Sequence, residues 1–349
     1  MISPLDARVG EKKRNSNVEL LRFALMLAIC VWHTFVHGFN YKEIGMSLST
    51  DISVIRLMIM CMCVPAVNTF MLISGYYGIR LSTKKVFHFW FLGVAVVLMC
   101  IPWFHISHIA SYVFPMSSGV WWFMKCYFLV MAFSPLIENG LRNADKTLLF
   151  KIVLFLLFIN SVVKMANFTC GGSDFISLLI VFIIGRAFKR FEVTIPLHKA
   201  LSLVALSSLG LFVMLLYFKL FGNKANIWIS LGYNNPLIII QSIGILYGVL
   251  HIPTHHFRLF NFLGKNSLAI YLITELLGVS FMYKWWAILY DENKTFYLFV
   301  IIVIALACTI VGSLIGWLGE IVVCRLNKPL IFFGSQLEAW LTNKKTSEP

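Results

Sequence analysis

The first apolar segment, Val18 to Phe39, limits the possible folds of this chain more than any other stretch. It reads VELLRFALMLAICVWHTFVHGF, and twenty or so helical residues at about 1.5 Å each cross a hydrocarbon core of about 30 Å. Similar segments recur along the chain, which predicts an all-α, polytopic transmembrane helix bundle of about ten spans. The predicted spans are 18–39, 52–78, 86–106, 119–138, 149–166, 175–189, 200–218, 230–250, 266–288 and 296–321. We expect a single integral membrane domain over residues 1–349, with short cytoplasmic tails at 1–17 and 322–349.

Composition agrees with this class of protein. The 349 residues are 59% hydrophobic and 13% charged, with a mean hydropathy of +0.83, which ordinary soluble domains do not reach. The net charge of +14 could suggest nucleic acid, but most of the 29 Lys and Arg residues fall on segments expected at the cytoplasmic face. The positive-inside rule explains such a distribution. We therefore expect a lipid bilayer as partner, cytoplasmic termini and no nucleic acid.

Four ionisable residues lie within the first segment: Glu19, Arg22, His33 and His37. Arg22 and His33 are eleven residues apart, which is three helical turns plus about 20°, so they share one face. Glu19 and His37 extend this stripe by one turn at either end. Ionisable groups at membrane depth cost at least about 2 kcal/mol each, so the stripe indicates a functional site. The alternative is a structural Glu19–Arg22 pair with histidines that bond neighbouring carbonyl groups.

The second span and its exit read MCMCVPAVNTFMLISGYYGIRLSTKK. Pro65 interrupts the apolar run and Asn68 places an amide in the membrane, while Ser74 lies near the end of the span. This pattern fits a kinked helix packed on small residues, and equally a backbone that a ligand approaches closely. The basic segment that follows contains Arg80, Lys84 and Lys85. Topology and anionic lipids could explain it, as could a phosphate-bearing cytoplasmic ligand.

The fourth span begins at an aromatic boundary that includes Trp122. Lys125 and Tyr127 follow within about a turn, and Lys125 either snorkels to the interface or lines a site. The dipeptide Ser134-Pro135 is expected to end this span near the inner rim.

The ninth span contains Tyr271 and Glu275, one turn apart. A carboxylate inside the membrane requires a partner or protonation, so Glu275 is a candidate site residue. Gln241 of the eighth span is interpreted as a structural amide between helices. The cysteines lie mainly in apolar segments and show no zinc or redox spacing, which predicts neither a disulfide nor a metal site.

Arg22, ten intervening residues and His33 together resemble the hallmark of the membrane-bound acyltransferase 3 family. The resemblance covers nearly the whole chain and extends to the family's surface-polysaccharide O-acyltransferase (O-acetyltransferase) branch. The segments NSNVELLRFALMLAICVWHTFVHG, VNTFMLISGYYGIR, FPMSSGVWWFMKCYFLVMAFSPLI and NSLAIYLITE resemble its first, second, fourth and penultimate spans. Many members have a His where this chain has Thr274, so no second essential His is carried over. The basic segment likewise lacks the paired arginines of some relatives.

The resemblance implies an acyl-coenzyme A-dependent acyltransferase of a bacterial cell envelope, located in the inner membrane. The donor would be acetyl-coenzyme A, used as a substrate without a permanently bound cofactor, and the acceptor a hydroxyl of a surface polysaccharide or its lipid-linked precursor. Transfer would depend on His33, with Arg22 and Glu19 beside it as catalytic candidates. The candidates for acyl-coenzyme A binding are Arg22, Arg80, Lys84, Lys85 and Ser74. The candidates that line a substrate site are His37, Asn68, Trp122, Lys125, Tyr127, Tyr271 and Glu275.

A mechanism consistent with this resemblance uses His33 as a general base. A neutral imidazole can accept the proton of a sugar hydroxyl as the hydroxyl attacks a thioester. A covalent acyl-enzyme at Ser74 is the rival route. The competing functions are a transporter or flippase of a glycan or lipid-linked substrate, which also uses many spans and buried charges, and a non-catalytic protein that binds a glycan lipid.

Overall fold

The computed structural model describes residues 14–40, 53–79, 81–103, 114, 119–164, 171–221 and 225–345, which form helices and no strand. In chain order the helices are α1 Ser16–His33, α2 Val54–Cys63, α3 Ala66–Tyr77, α4 Thr83–Cys100, α5 Trp122–Asn143, α6 Lys146–Leu157, α7 Phe175–Arg190, α8 Leu197–Phe221, α9 Ala225–Ser230, α10 Pro236–Leu250, α11 Arg258–Asn266, α12 Leu268–Leu277, α13 Tyr283–Glu292 and α14 Lys294–Lys345. The predicted all-α fold is confirmed.

Among the described residues, six helical segments are long and apolar enough to cross a membrane. They are Ser16–Gly38, Val54–Tyr77, Lys84–Trp103, Lys146–Val163, Leu197–Phe221 and Lys294–Val322. Shorter apolar helices, α10 and α12, lie between them in the sequence. Many large apolar side chains on these helices are exposed, as expected where a bundle faces lipid. The chain is therefore a multi-pass helical membrane protein.

The second span breaks at Val64–Pro65 into α2 and α3. Proline has no N–H, so the carbonyl of Cys61, four residues earlier, loses its helical partner. The side-chain amide of Gln241 in α10 donates to this carbonyl at 3.1 Å, and the Ser242 hydroxyl donates to the Pro65 carbonyl at 3.1 Å. The kink is therefore stabilised by a neighbouring helix, and Gln241 has the structural role that the sequence predicted.

Two predicted helix ends lie well short of the ends seen in the structure. Helix α5 does not end at Ser134-Pro135 but continues to Asn143. The carbonyl of Met131, which Pro135 leaves without its helical donor, accepts a hydrogen bond of 2.8 Å from the Ser134 hydroxyl. This local replacement lets the helix pass through the proline. The last helix also continues beyond the predicted end at residue 321, and α14 runs to Lys345.

Three helices of the described part of the chain pass into π-helical geometry, one of them α6 at Phe158–Val163, and the other two transitions lie beside candidate site residues. Helix α1 passes into a π turn over Thr34–Gly38, directly after His33. Helix α12 passes into another over Gly278–Met282, just after Glu275. The two turns pack against each other, and α13 packs on the first of them. Because π turns shift side-chain register and recur at functional sites, this junction is a candidate functional region.

Candidate functional site

A buried cluster of three polar side chains lies at the junction of the two π turns. His33 Nδ1 is 2.8 Å from Glu275 Oε2. The Tyr283 hydroxyl donates to Glu275 Oε2 at 2.7 Å and lies 2.9 Å from His33 Nδ1. All three side chains are less than one tenth exposed. The carboxylate thus fixes the orientation of the imidazole and favours the tautomer that carries its proton on Nδ1.

Two glycines make room for Tyr283 in this cluster. A Cβ atom at Gly278 would lie 2.2 Å from the Tyr283 ring, and one at Gly38 would lie 2.2 Å from the Tyr283 carbonyl oxygen. Any larger residue at either position would push Tyr283 away. The ring therefore folds back over the π turn and delivers its hydroxyl to Glu275.

His37 extends the cluster toward the end of the first π turn. Its ring is 5.3 Å from that of His33 and stacks on Tyr283 at 5.5 Å. Ligand atoms of His33, His37 and Glu275 all lie within 4.8 Å of one another, so these residues could hold a metal ion. Two histidines and a carboxylate are a donor set that zinc accepts. The sequence predicted no metal site from the spacing of its cysteines, and Glu275 lies far along the chain from the two histidines.

A cavity of about 490 Å³ opens beside the N-terminal half of α1. We call it the basic cavity, because Arg14, Arg22, Lys85 and Lys265 line it together with the hydroxyl-bearing residues Ser74, Tyr77, Tyr127 and Ser267. Glu19 is the acidic residue of its lining and is 3% exposed. Its Oε1 accepts from Arg22 at 2.6 Å and from Arg14 at 3.3 Å. The cavity therefore combines a surplus of positive charge with polar walls.

A second, much smaller cavity adjoins His33. This His33 pocket measures about 10 Å³, which is space for about one water-sized group. It is lined by Met26, Ile29, His33, Val67, Phe70, Trp122, Phe123, Tyr233 and Tyr271. The Trp122 and Tyr233 rings stack at 5.5 Å, and Phe123 meets Tyr271 edge to face at 6.0 Å. Its walls are thus mostly aromatic and apolar.

The two cavities have three wall residues in common: Met26, Phe70 and Phe123. The basic cavity and the His33 pocket are therefore neighbours, and the residues that they share are apolar. Arg22 lies on the first and His33 on the second. The polar stripe predicted along α1 faces the interior of the bundle, but its residues line two separate cavities.

The structure brings most of the sequence-derived candidates to these two cavities. Glu19, Arg22, Ser74, Lys85 and Tyr127 line the basic cavity. His33, Trp122 and Tyr271 line the pocket, while Glu275 and His37 contact His33 from its other side.

Four candidates fall elsewhere. The Lys125 side chain is exposed and lines neither cavity, which fits the interpretation that it snorkels. Lys84 is also exposed and outside the lining. Asn68 is fully buried, and its amide donates to the carbonyl of Tyr233, a residue of the pocket lining, at 2.7 Å. Arg80 lies outside the described residues.

Sequence reasoning missed Tyr283 and the basic residues Arg14 and Lys265. On a regular α-helix Tyr283 would point about 80° away from Glu275, eight residues earlier. The π turn corrects this offset, and Gly278 is the signal in the sequence that could have suggested it. Lys265 reaches the basic cavity from α11, which packs on α1. No local sequence pattern predicts that these two helices are in contact.

The fold and the site define an integral membrane protein with a buried acid–base cluster beside a cationic cavity. Residues 15–317 match the family model described as an acyltransferase domain, of the acyltransferase 3 type. The chain therefore belongs to the membrane acyltransferase 3 family and is an acyltransferase, which confirms the predicted family and enzyme class. No curated protein and no solved structure gave a significant match to the chain.

Proposed function

We propose that this acyltransferase moves an acetyl group from acetyl-coenzyme A to a hydroxyl of a cell-surface polysaccharide or its lipid-linked precursor, in the inner membrane of a bacterial cell. The observation that carries the proposal is the contact of His33 with Glu275 at 2.8 Å, next to a pocket that adjoins the basic cavity. An oriented imidazole is the group required to activate a hydroxyl at neutral pH.

The basic cavity supports a phosphate-bearing donor such as coenzyme A. Arg22 and Arg14 offer guanidinium groups, and Lys85 and Lys265 offer ammonium groups, in one lining. Such groups bind phosphate oxygens through charge-assisted hydrogen bonds. Glu19 holds Arg22 in place at 2.6 Å while the guanidinium keeps further N–H donors for a ligand.

The apolar residues that the two cavities share suit the thioester arm of the donor. Met26, Phe70 and Phe123 belong to both linings, so an uncharged chain that passes them leaves the basic cavity and enters the His33 pocket. A charged group would lose its hydration at this point, which favours phosphates on one side and the acyl group on the other.

In the proposed step the acceptor hydroxyl attacks the thioester carbonyl carbon. Nε2 of His33 takes the hydroxyl proton, and the Glu275 carboxylate stabilises the imidazolium through Nδ1–H. Collapse of the tetrahedral intermediate breaks the C–S bond, and the imidazolium returns the proton to the coenzyme A thiolate. Direct transfer is favoured over an acyl-enzyme at Ser74, because Ser74 lines the basic cavity and its hydroxyl donates to the Phe70 carbonyl at 2.9 Å.

The test is an assay of purified protein with labelled acetyl-coenzyme A and candidate glycans. We expect donor-dependent labelling of a glycan, and a loss of about 1,000-fold or more in kcat for His33→Ala, because a general base is removed. His198→Ala is the matched control, since His198 is exposed on α8 and lines neither cavity. A wild-type rate for His33→Ala would refute the proposed role of this residue. Glycan movement across vesicles without coenzyme A chemistry would instead favour a transporter or flippase.

A further inference from the structure

A buried hydroxyl in the His33 pocket lacks a satisfactory partner. Tyr271 is 4% exposed and lines the pocket. Its hydroxyl lies near the backbone of Phe123 but makes no well-formed hydrogen bond with any described residue. Two other polar side chains of the same pocket do have partners. His33 contacts Glu275, and Tyr233 forms a hydrogen bond with the Trp32 side chain. Because buried polar groups are normally paired, the Tyr271 hydroxyl requires an explanation.

Helix α12 contributes both Tyr271 and the partner of the base, Glu275. Tyr271 and Glu275 are four residues apart and project from consecutive turns of one helical face. Glu275 reaches Nδ1 of His33 from one side, while Tyr271 reaches the pocket that His33 also lines. The indole N–H of Trp121 donates to the Leu272 carbonyl at 3.1 Å, which fixes α12 against the start of α5. The position of the Tyr271 ring is thus set by packing.

The size of the pocket determines what can meet both groups. The pocket has space for about one water-sized group, so a carbonyl oxygen that enters it meets walls that include both His33 and Tyr271. The apolar walls formed by Ile29 and Val67 exclude further water. An isolated donor in such surroundings stabilises negative charge far better than it would in solvent.

We propose that the Tyr271 hydroxyl donates a hydrogen bond to the thioester carbonyl oxygen as that oxygen becomes an oxyanion. The inference rests on the proposed acyl transfer. When the acceptor oxygen bonds to the carbonyl carbon and His33 takes its proton, the C=O π electrons move onto the carbonyl oxygen, which Tyr271 stabilises without losing its own proton. When the carbonyl re-forms, the C–S bond breaks and His33 returns the proton to the leaving thiolate.

The test compares Tyr271→Phe with the parent enzyme. This substitution keeps the ring and its contact with Phe123 but removes the donor, so we expect kcat to fall by about 100-fold. The KM for acetyl-coenzyme A should change by less than about 3-fold, because the interaction forms mainly in the transition state. Tyr247→Phe is the control, since its hydroxyl donates to the Val193 carbonyl at 2.7 Å outside both cavities. That variant should retain the parent kcat.

The outcomes separate this inference from the proposed function. A parent-like kcat for Tyr271→Phe, with His33→Ala inactive, would overturn the oxyanion role and leave the acyl transfer intact. A parent-like rate for His33→Ala would overturn the proposed mechanism itself. Thermal unfolding and gel filtration of Tyr271→Phe identify any loss of fold. If the variant does not fold, 3-fluorotyrosine at position 271, a stronger donor of nearly the same shape, should at least match the parent kcat, and a 10-fold loss would overturn the role.

Discussion

The basic cavity and the His33 pocket lie against the same helix, yet their chemistry differs sharply. The basic cavity holds about 490 Å³ and carries Arg14, Arg22, Lys85 and Lys265, whereas the pocket holds about 10 Å³ and has mostly aromatic and apolar walls. Charges at a wide, hydrated cavity bind ligands with modest energy, because solvent screens them. Charge that develops in a narrow apolar pocket interacts strongly with the few polar groups present. Under the proposed function, the basic cavity binds the donor and the His33 pocket carries out the transfer.

Glu275→Gln should give the largest difference between the effect on kcat and the effect on the KM for the donor. The amide keeps the shape and the reach to Tyr283 but cannot stabilise an imidazolium, so we expect kcat to fall by about 100- to 1,000-fold. The KM for the donor should stay nearly constant, since Glu275 does not line the basic cavity. Steady-state kinetics with acetyl-coenzyme A measure both constants.

The control for this variant is Glu138→Gln. Glu138 also pairs with a partly buried cation, Arg186, at 2.6 Å, but it lines neither cavity. Its substitution should leave kcat within about 2-fold of the parent, as is usual away from a site. Equal losses of kcat in both glutamine variants would indicate a general effect on folding and would contradict a specific role of Glu275 in catalysis.

Arg22→Ala should act mainly on donor binding. Loss of a charge-assisted hydrogen bond to phosphate costs about 1.5–3 kcal/mol, so the KM for acetyl-coenzyme A should rise by about 10- to 100-fold. The kcat should fall much less than in Glu275→Gln. Glu19 keeps one partner in this variant, because Arg14 already lies 3.3 Å from its carboxylate.

Lys125→Ala is the matched control, since Lys125 is a basic residue of a predicted span whose exposed side chain lines neither cavity. We expect its kinetic constants to stay close to those of the parent. A kcat loss in Arg22→Ala as deep as in Glu275→Gln would erase the distinction between the two compartments.

The sequence predicted those features of the two cavities that depend on residues close together in the chain. Arg22 and His33 share a helix, so their common face followed from helical periodicity alone. Glu275 was recognisable because a carboxylate at membrane depth requires an explanation. Its partner could not be identified, since His33 and Glu275 meet only through packing of α1 against α12.

Tyr283 illustrates a second limit on the sequence reading. Its side chain reaches Glu275 through a π turn, and regular 3.6-residue periodicity gives the wrong direction for it. Pro135 illustrates the same limit at a helix boundary. The predicted helix end ignored the Ser134 hydroxyl, which replaces the missing backbone donor. Local exceptions of this kind are where pattern rules fail.

The smallest expected effect concerns metal. His33, His37 and Glu275 could hold an ion, but the 2.8 Å and 2.7 Å contacts of Glu275 are those of hydrogen bonds, and ligation through Nδ1 would displace the proton that orients His33. We therefore expect dialysis against a chelator to leave kcat unchanged, and added Zn²⁺ to inhibit by occupying the base. Metal analysis of the dialysed enzyme provides the control. Activity lost on dialysis and restored by Zn²⁺ would replace the general base with a metal-activated nucleophile, and the contrast between the pocket and the basic cavity would then depend on the metal.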